Sequence, residues 1–220
     1  MRHKCLDKGY VELVTNTPDG DLLVVNSARA SFDKQHSKFD KEKDSKLIKY
    51  LAKHKHFLPF RHPNITLRFH MPIFVARQAL KHQVGMSASE VSRRYIDSIP
   101  EFYAPGRFRA RPDGIKQGST TDGPRMGHVA AANCYSSAIN RALLEYNKLL
   151  DGGVAPEMAR CVLPVATYTT VVWTGTLLAW HHFYKLRSES HAQVEIQEYA
   201  QAVEYIMKDL FPISWEALNS

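Results

Sequence analysis

The chain has few cysteines and lacks a long apolar segment. Its 220 residues include three cysteines, Cys5, Cys134 and Cys161, which lie far apart and form no CxxC or Cys/His ligand spacing. We therefore predict free thiols, with neither a disulfide framework nor a metal site. No run of eighteen apolar residues occurs, and the N-terminus lacks the apolar core of a signal peptide, so we expect a cytoplasmic protein with no membrane span.

Acidic residues are scarce relative to basic ones. Lys and Arg total 29 against 22 Asp and Glu, which gives a net charge of +7, and much of the excess lies in residues 34–62. This charge indicates an anionic partner but does not distinguish nucleic acid from a phosphorylated small molecule or a cofactor. A hydrophobic content of 44% over this length is enough for a sizeable core, so we predict a single domain over residues 1–220.

The hydrophobic pattern predicts an α+β chain with long helices late in the sequence. Strands are expected at residues 10–14, 21–26, 64–70 and 166–174, the first two as a hairpin joined by a turn at residues 17–20. Helices are expected at residues 45–54, 73–82, 126–150, 155–161, 175–186 and 192–210. Residues 100–124 contain four prolines and four glycines without periodicity, which predicts a loop excursion. Trp173 and Trp180 are expected to pack in the core rather than to stack on a ligand ring.

The densest group of polar side chains is the fifteen-residue segment from Lys81 to Tyr95. It contains cations, an imidazole, a carboxylate, hydroxyls and a phenol, directly after an apolar stretch. Composition alone permits two interpretations of this segment. In one, the segment is a solvated helix whose Glu90 and Arg94 form a surface pair worth about 0.3–0.5 kcal/mol. In the other, it is an anion-binding site that carries chemistry.

The order of these residues resembles the signature of the flavin-dependent thymidylate synthases of the ThyX type. That signature is an Arg-His-Arg triplet followed by Asn-Glu-x-Ser-x-Arg-Tyr. Here the triplet reads KHQ at residues 81–83 and the second element reads SEVSRRY at residues 89–95, with eight residues instead of seven between the triplet and the serine. Further similar elements are ARAS at 28–31, HFLPFRH at 56–62, ARQ at 76–78, LR at 186–187 and HAQVEI at 191–196.

The resemblance implies a ThyX-like α+β fold, with an antiparallel or mixed sheet and long helices, assembled as a homotetramer with active sites at subunit interfaces. It also implies the reductive methylation of dUMP to dTMP. The carbon donor would be 5,10-methylenetetrahydrofolate, and NADPH would supply hydride through FAD. Neither nucleic acid nor a membrane is implied as a partner, and the expected location is the cytoplasm, that of the host cell if the chain is viral.

The resemblance also implies roles for individual residues. The positions that match nucleotide-binding residues are Gln78, Lys81, Glu90, Ser92 and Arg94. Arg94 and Ser92 are implied as catalytic residues, and Arg94 would stabilise negative charge as the pyrimidine C5 becomes nucleophilic. Ser92 is not expected to be a covalent nucleophile, since no Ser-His-Asp order is visible. The positions that match flavin-contacting residues are His56, His82, Gln83, Val84, Arg187 and His191.

Several positions depart from the family pattern. Lys81, Gln83, Thr170 and Gln197 stand where arginines are found, Arg61 where glutamate is frequent, and Leu58 where a hydroxyl is frequent. Cations that would compensate for the missing arginines are Arg61, Arg93, Lys116 and Lys185. The departures leave open a divergent subgroup such as a viral one, related C5 chemistry on another pyrimidine nucleotide, or a low-activity homologue. A basic nucleic-acid-binding protein is the alternative from another class, but the sequence contains no zinc finger, RNP-type aromatic motif or helix-turn-helix.

Overall fold

The computed structural model describes residues 1–96, 98–114 and 118–220. Within them lies a five-stranded sheet in the order β1-β2-β3-β5-β4, and every pair of neighbouring strands is antiparallel. The strands are β1 (Arg2–Cys5), β2 (Gly9–Asn16), β3 (Asn64–Pro72), β4 (Met86–Glu90) and β5 (Tyr168–Thr176). The central pair, β3 and β5, is in register over its full nine residues, so these two strands form the rigid centre of the sheet.

Eight α-helices are present in the described residues, and the predicted α+β class is confirmed. They are α1 (Gly20–Arg29), α2 (Lys43–Lys53), α3 (Ile73–Ala79), α4 (His128–Asp151), α5 (Pro156–Ala159), α6 (Leu177–Arg187), α7 (Val194–Leu210) and α8 (Pro212–Asn219). Short 3₁₀ helices lie at Ala30–Phe32, Leu58–Arg61 and Arg160–Val162. Residues 101–127 contain isolated bridges at Phe102↔Thr167 and Ala110↔Thr120. Lys116 lies outside the described residues.

The core lies between one face of the sheet and α6 and α7. Residues of β3 alternate as the sequence predicts, since Leu67 and Phe69 are fully buried whereas Arg68 on the other face is exposed. The rings of Phe69, Trp173 and Trp180 contact one another at centroid distances of 5.0 to 5.8 Å. Trp180 also donates from Nε1 to the Ile65 carbonyl at 3.1 Å. The prediction that both tryptophans pack in the core is confirmed.

The predicted strand at residues 21–26 is wrong, because that segment is part of α1. Four consecutive apolar residues fit either a buried strand or a helix, so tertiary contacts decide. A Cβ on Gly20 would lie 1.7 Å from the ring of Phe211, the residue between α7 and α8, so glycine allows α1 to begin against this ring. The Asp21 carboxylate accepts hydrogen bonds from the backbone N–H groups of Ile213 and Ser214, which satisfies the free donors at the start of α8. Both edges of β2 are paired, one with β1 and the other with β3, so residues 21–26 could not pair with β2 as a hairpin strand.

The helix predicted at residues 73–82 ends early, at Ala79, and the segment from Lys81 to Tyr95 is not helical. After α3 the chain turns at Gly85, whose φ of +72° favours glycine, and it then enters β4. The Thr176 N–H donates to the Gly85 carbonyl, which fixes the turn against β5. Glu90 and Arg94 are therefore not partners on one helical turn, so the solvated-helix reading is wrong.

The three cysteines are free, as predicted, with Cys5 buried and Cys134 and Cys161 exposed. Among the helices that the structure describes, none combines the length and the apolar character needed to cross a bilayer.

Candidate active site

Arg187, the last residue of α6, connects two of the other predicted site residues. Its Nε donates to His82 Nε2 at 3.1 Å, and its Nη2 donates to the Gln78 carbonyl at 3.0 Å. Gln78 lies near the end of α3 and His82 in the turn that follows it, so the fold brings together positions more than 100 residues apart in the sequence. This grouping includes one residue matched to nucleotide binding and two matched to flavin binding.

Burial, and after it the neighbouring arginine, keeps His82 neutral. Partial burial of His82, together with the positive charge of Arg187, lowers the pKa of the imidazole to about 4. Because Nε2 accepts the hydrogen bond from Arg187, the proton of the neutral ring is on Nδ1. At neutral pH the pair is therefore one cation beside a neutral imidazole that still offers a donor.

A hydrogen-bonded path leads from Gln78 to the loop at residues 101–114. The Gln78 amide donates to Gln193 Oε1 at 2.6 Å, just before α7 begins. Two residues further on, the buried carboxylate of Glu195 accepts two hydrogen bonds from Arg109 Nη2, at 2.8 and 2.9 Å, and one from the Tyr103 hydroxyl at 3.3 Å. Burial alone would raise the pKa of Glu195, but the hydrogen bonds, above all that from Arg109, hold it below its usual value. Arg109 thus fixes this loop onto α7.

A cavity of about 430 Å³ lies where β4 ends and β5 begins. Its lining includes two residues matched to nucleotide binding, Glu90 and Ser92. The Glu90 carboxylate accepts a hydrogen bond from the Thr169 hydroxyl at 2.8 Å. Arg93 and Arg160 also line the cavity. The cavity therefore offers two carboxylates, those of Glu90 and Glu101, together with hydroxyls and two guanidinium groups, and polar groups that converge on one concavity are typical of a ligand site.

His70 forms one wall of the same cavity and is held on every side. Its Nδ1 lies 3.0 Å from the Thr170 hydroxyl and its Nε2 lies 3.3 Å from a Glu101 carboxylate oxygen. The ring stacks between Tyr10 and Tyr168, at centroid distances of 5.4 and 4.7 Å. Burial lowers the pKa of His70 more than Glu101 raises it. The imidazole is therefore a rigid wall that stays largely neutral at pH 7.

Arg94 is placed differently from its neighbours Glu90 and Ser92. In the described part of the chain it is not among the residues that line the cavity. Its Nε and Nη2 both lie 3.1 Å from Glu157 Oε2, in a pair whose two side chains are each 51% exposed. Among the residues that the structure describes, Ser92 Oγ accepts a hydrogen bond only from the backbone N–H of Arg94, at 3.3 Å. The structure therefore brings Glu90 and Ser92 together at the cavity but leaves Arg94 on Glu157.

The remaining predicted residues are mostly on the surface. Lys81, Gln83, Val84, His56 and His191 are exposed, and Val84 is 88% exposed. In the described residues no hydrogen bond joins any of them to Arg187. His56 lies beyond α2, near the rings of Tyr50 and His54.

Sequence reasoning missed several residues of this region. Arg109 and His70 carry no local signal, because their partners Glu195 and Thr170 lie 86 and 100 residues away. Arg160 lines the cavity together with residues of distant segments. Glu195 lies inside the HAQVEI element, so the motif could have identified it. In the part of the chain that the structure describes, no group of three or more His, Cys, Asp or Glu side chains is arranged to hold a metal ion.

Comparison with known proteins agrees with the motif reading. Residues 12–213 match the family model described as thymidylate synthase complementing protein. The flavin-dependent thymidylate synthase of Thermosipho africanus is 40% identical over 217 residues, which cover 99% of this chain and 93% of the relative. That of Thermus thermophilus is 40% identical over 216 residues, which cover 97% and 77%.

Solved structures of one related enzyme are also similar. The UMP/dUMP methylase PolB from Streptomyces cacaoi, bound with 5-Br dUMP, matches with a TM-score of 0.85 and 33% identity, over 99% of this chain and 97% of that one. The same methylase bound with 5-Br UMP matches with a TM-score of 0.82 and 33% identity, over 98% and 96%. The family model and the curated relatives each span nearly the whole chain, which therefore belongs to the thymidylate synthase complementing protein family, together with these flavin-dependent thymidylate synthases.

Proposed function

We propose that this chain is a flavin-dependent thymidylate synthase that methylates dUMP to dTMP. The carbon donor is 5,10-methylenetetrahydrofolate, the flavin is FAD, the reductant is NADPH, and the enzyme works in the cytoplasm as a single domain. The observation that carries the proposal is the contact of Arg187 with His82 and with the Gln78 carbonyl. Three residues matched to the substrate and cofactor sites of this family meet there although the sequence separates them widely.

The donor set around Arg187 fits a flavin. A partly buried guanidinium beside a neutral imidazole that carries its proton on Nδ1 suits the carbonyl oxygens of an isoalloxazine ring or the oxygens of a pyrophosphate, because these oxygens are hydrogen-bond acceptors. His82 and Arg187 would hold the flavin, with Gln83, Val84, His56 and His191 contacting it from the surface. The bound flavin supplies the hydride transfer to the carbon unit. His82 and Arg187 would fix the position of the flavin, and the Nδ1–H of His82 would be one of the donors that bind it.

The cavity beside β4 fits the nucleotide. A carboxylate at Glu90 accepts hydrogen bonds from the donor groups of a nucleoside, and the hydroxyl of Ser92 can donate or accept. Gln78 and Lys81 are not among the described residues that line this cavity, and only the match to the family assigns them to the nucleotide. To reach the pyrimidine, Arg94 must leave Glu157. The free energy needed to break this pair is small, because an exposed ion pair contributes only about 0–1 kcal/mol. Once there, Arg94 stabilises negative charge on the ring as C5 becomes nucleophilic.

A homotetramer with active sites between subunits completes the proposal. Support comes from α4, where only Ala131 and Tyr146 of 24 residues are buried, so that most of a long helix faces away from this chain's core. Val129 and Leu144 on α4 are 76% and 47% exposed. A helix that exposes this much apolar surface is typical of a subunit contact. Light scattering of the purified protein tests the assembly, and an active monomer would overturn it.

The activity has a direct test. The purified protein should be yellow or bind added FAD, and it should form dTMP from dUMP only when methylenetetrahydrofolate and NADPH are both present. Omission of either co-substrate is the matched control. A colourless protein that FAD does not bind, or one that binds FAD and dUMP without forming dTMP under these conditions, would contradict the proposal.

One observation favours a second candidate function. The methylase from Streptomyces cacaoi that resembles this chain has been solved with 5-Br UMP as well as with 5-Br dUMP. Methylation of UMP at C5 by the same flavin chemistry is therefore the alternative. Competition between equal concentrations of dUMP and UMP separates the two functions, because the ratio of the two methylated products gives the ratio of the kcat/KM values. An excess of dTMP supports the first function and an excess of 5-methyl-UMP supports the second.

A further inference from the structure

We propose that Arg109 is a positioning residue: through Glu195 and Gln193 it fixes which end of the Gln78 amide faces the nucleotide. This inference rests on the proposed function and goes beyond it, because neither the sequence motifs nor the comparisons give Arg109 a role in the reaction. Arg109 itself touches neither substrate nor flavin in this proposal. It acts through a chain of hydrogen bonds in which each group has a fixed role as donor or acceptor.

The charged end of this chain has only one possible direction. A guanidinium only donates and an ionised carboxylate only accepts. Arg109 Nη2 donates to both carboxylate oxygens of Glu195, at 2.8 and 2.9 Å, while Arg109 Nε donates to the Ser119 hydroxyl at 2.7 Å. The Glu195 side chain is 7% exposed. Because desolvation cancels much of the attraction in a buried ion pair, stability alone is a weak reason for placing one here.

Gln193 carries this direction from the ion pair toward the active site. Burial raises the pKa of Glu195, whereas hydrogen bonds from Arg109, from the Glu195 backbone N–H and from the Gln193 side chain lower it. Since the carboxylate accepts only, Gln193 must turn its NH₂ group toward Glu195. The other end of the Gln193 amide, Oε1, then accepts a hydrogen bond from the Gln78 amide at 2.6 Å.

The orientation of the Gln78 amide follows from that of Gln193. Gln78 Nε2 donates to Gln193 Oε1 and also to the Phe74 carbonyl, at 3.5 Å, and Arg187 holds the Gln78 backbone carbonyl. Among the residues that the structure describes, Gln78 Oε1 accepts no hydrogen bond. Gln78 therefore presents an acceptor, which suits a donor group of the nucleotide such as the uracil N3–H or the 3′-hydroxyl. Without the chain, the amide could turn its NH₂ group to the ligand instead.

The test measures the dissociation constant of dUMP by calorimetry on the flavin-loaded enzyme. Q193L removes the link but leaves the ion pair intact, and it should weaken dUMP binding roughly 2- to 10-fold, because one neutral hydrogen bond contributes about 0.5–1.5 kcal/mol. R109M should weaken binding by a similar factor and R109K by less, since lysine keeps the charge but not the fork. The double variant R109M/Q193L should bind dUMP no more weakly than the weaker of the two single variants, because both substitutions break the same chain.

The variant Q78L distinguishes positioning from a structural effect. With the acceptor of Gln78 removed, neither R109M nor Q193L should weaken dUMP binding any further. A structural role would instead weaken binding by the same factor with and without Gln78. K46M removes one positive charge from α2, where Lys46 pairs with Glu42 on the surface, and should leave the dissociation constant unchanged.

Three results would overturn the proposal. They are wild-type affinity in Q193L, effects of R109M and Q193L that multiply in the double variant, and equal effects of these substitutions with and without Gln78. If R109M does not fold, Q193L decides, since Gln193 is exposed and its substitution leaves the Arg109–Glu195 pair in place. Wild-type protein that binds FAD but no dUMP would instead contradict the proposed function itself.

Discussion

The two faces of the sheet carry different kinds of side chain. On the face covered by α6 and α7, Phe69 and Trp173 pack against Trp180 with almost no exposure. On the opposite face, Thr66 bonds to Thr174 across the strands at 2.8 Å, Arg68 is exposed, and His70 is only partly buried. The two faces therefore have different roles. The covered face supplies stability, whereas the open face and the cavity at its end keep polar groups exposed.

Substitution of Trp180 by alanine tests the covered face and should have the largest effect. The variant loses a fully buried indole and the bond to the Ile65 carbonyl. We expect a loss of about 3–5 kcal/mol in the free energy of unfolding, from the cavity alone. Urea denaturation at a fixed protein concentration measures it, because oligomerisation makes apparent stability depend on concentration.

The matched control for this prediction is Val172→Ala on the open face. Val172 lies beside Trp173 in the same strand but is only partly buried. The Val172→Ala variant should lose less than about 1 kcal/mol in the free energy of unfolding, because little buried apolar surface is removed. Equal losses in the two variants would break the contrast between the faces.

Glu195→Gln tests a buried ion pair against an exposed one, and it should have the second largest effect on the free energy of unfolding. The Glu195 side chain is 7% exposed and binds Arg109, so the variant leaves a partly buried cation without its counterion. Removal of one partner of a buried pair costs about 3–5 kcal/mol, and the 25% exposure of Arg109 places this case near the lower value. Glu157→Gln, in a pair that is half exposed on both sides, should change stability by less than about 1 kcal/mol. Unfolding free energies of the two variants that agree within error would contradict this account.

The sequence predicted those parts of the molecule whose pattern has one interpretation. β3 alternates apolar and polar residues and was predicted almost to its ends, and α7 shows a continuous apolar stripe. β4 was missed because Ser87-Ala88-Ser89 has no alternation, and its pairing with β5 depends on residues more than 80 positions later. The motif matched Gln78 to the nucleotide and His82 and Arg187 to the flavin without any tertiary information, and the fold places the three side by side. It did not predict that Arg94 would lie on Glu157, because an exposed arginine selects its partner from whatever the fold places nearby.

Arg187→Met separates function from stability at the edge of the covered face. The side chain lies at the end of α6 and is only partly buried, so unfolding should change by no more than about 1–2 kcal/mol. Activity should fall by at least roughly 30-fold, because the variant loses the cation that we propose holds the flavin, and a hydrogen bond to a charged group contributes about 1.5–3 kcal/mol. Flavin absorbance per subunit and the rate of dTMP formation measure the effect. Arg187→Lys should recover only part of the loss, and full activity in Arg187→Met would remove Arg187 from the site.

The smallest predicted effect concerns pH and His82. Its folded pKa of about 4 lies below the value of roughly 6.5 expected in the unfolded chain. Between these values the unfolded state binds more protons, so the free energy of unfolding should decrease as the pH falls from 6.5 to 4. His82→Gln keeps an acceptor for Arg187 but cannot titrate, and it should make this decrease less steep by no more than about 1.4 kcal/mol per pH unit. His181, also with a pKa of about 4, continues to contribute in that variant, so the slope should become smaller but not vanish. An unchanged slope in His82→Gln would show that the imidazole is not held neutral by burial and by Arg187.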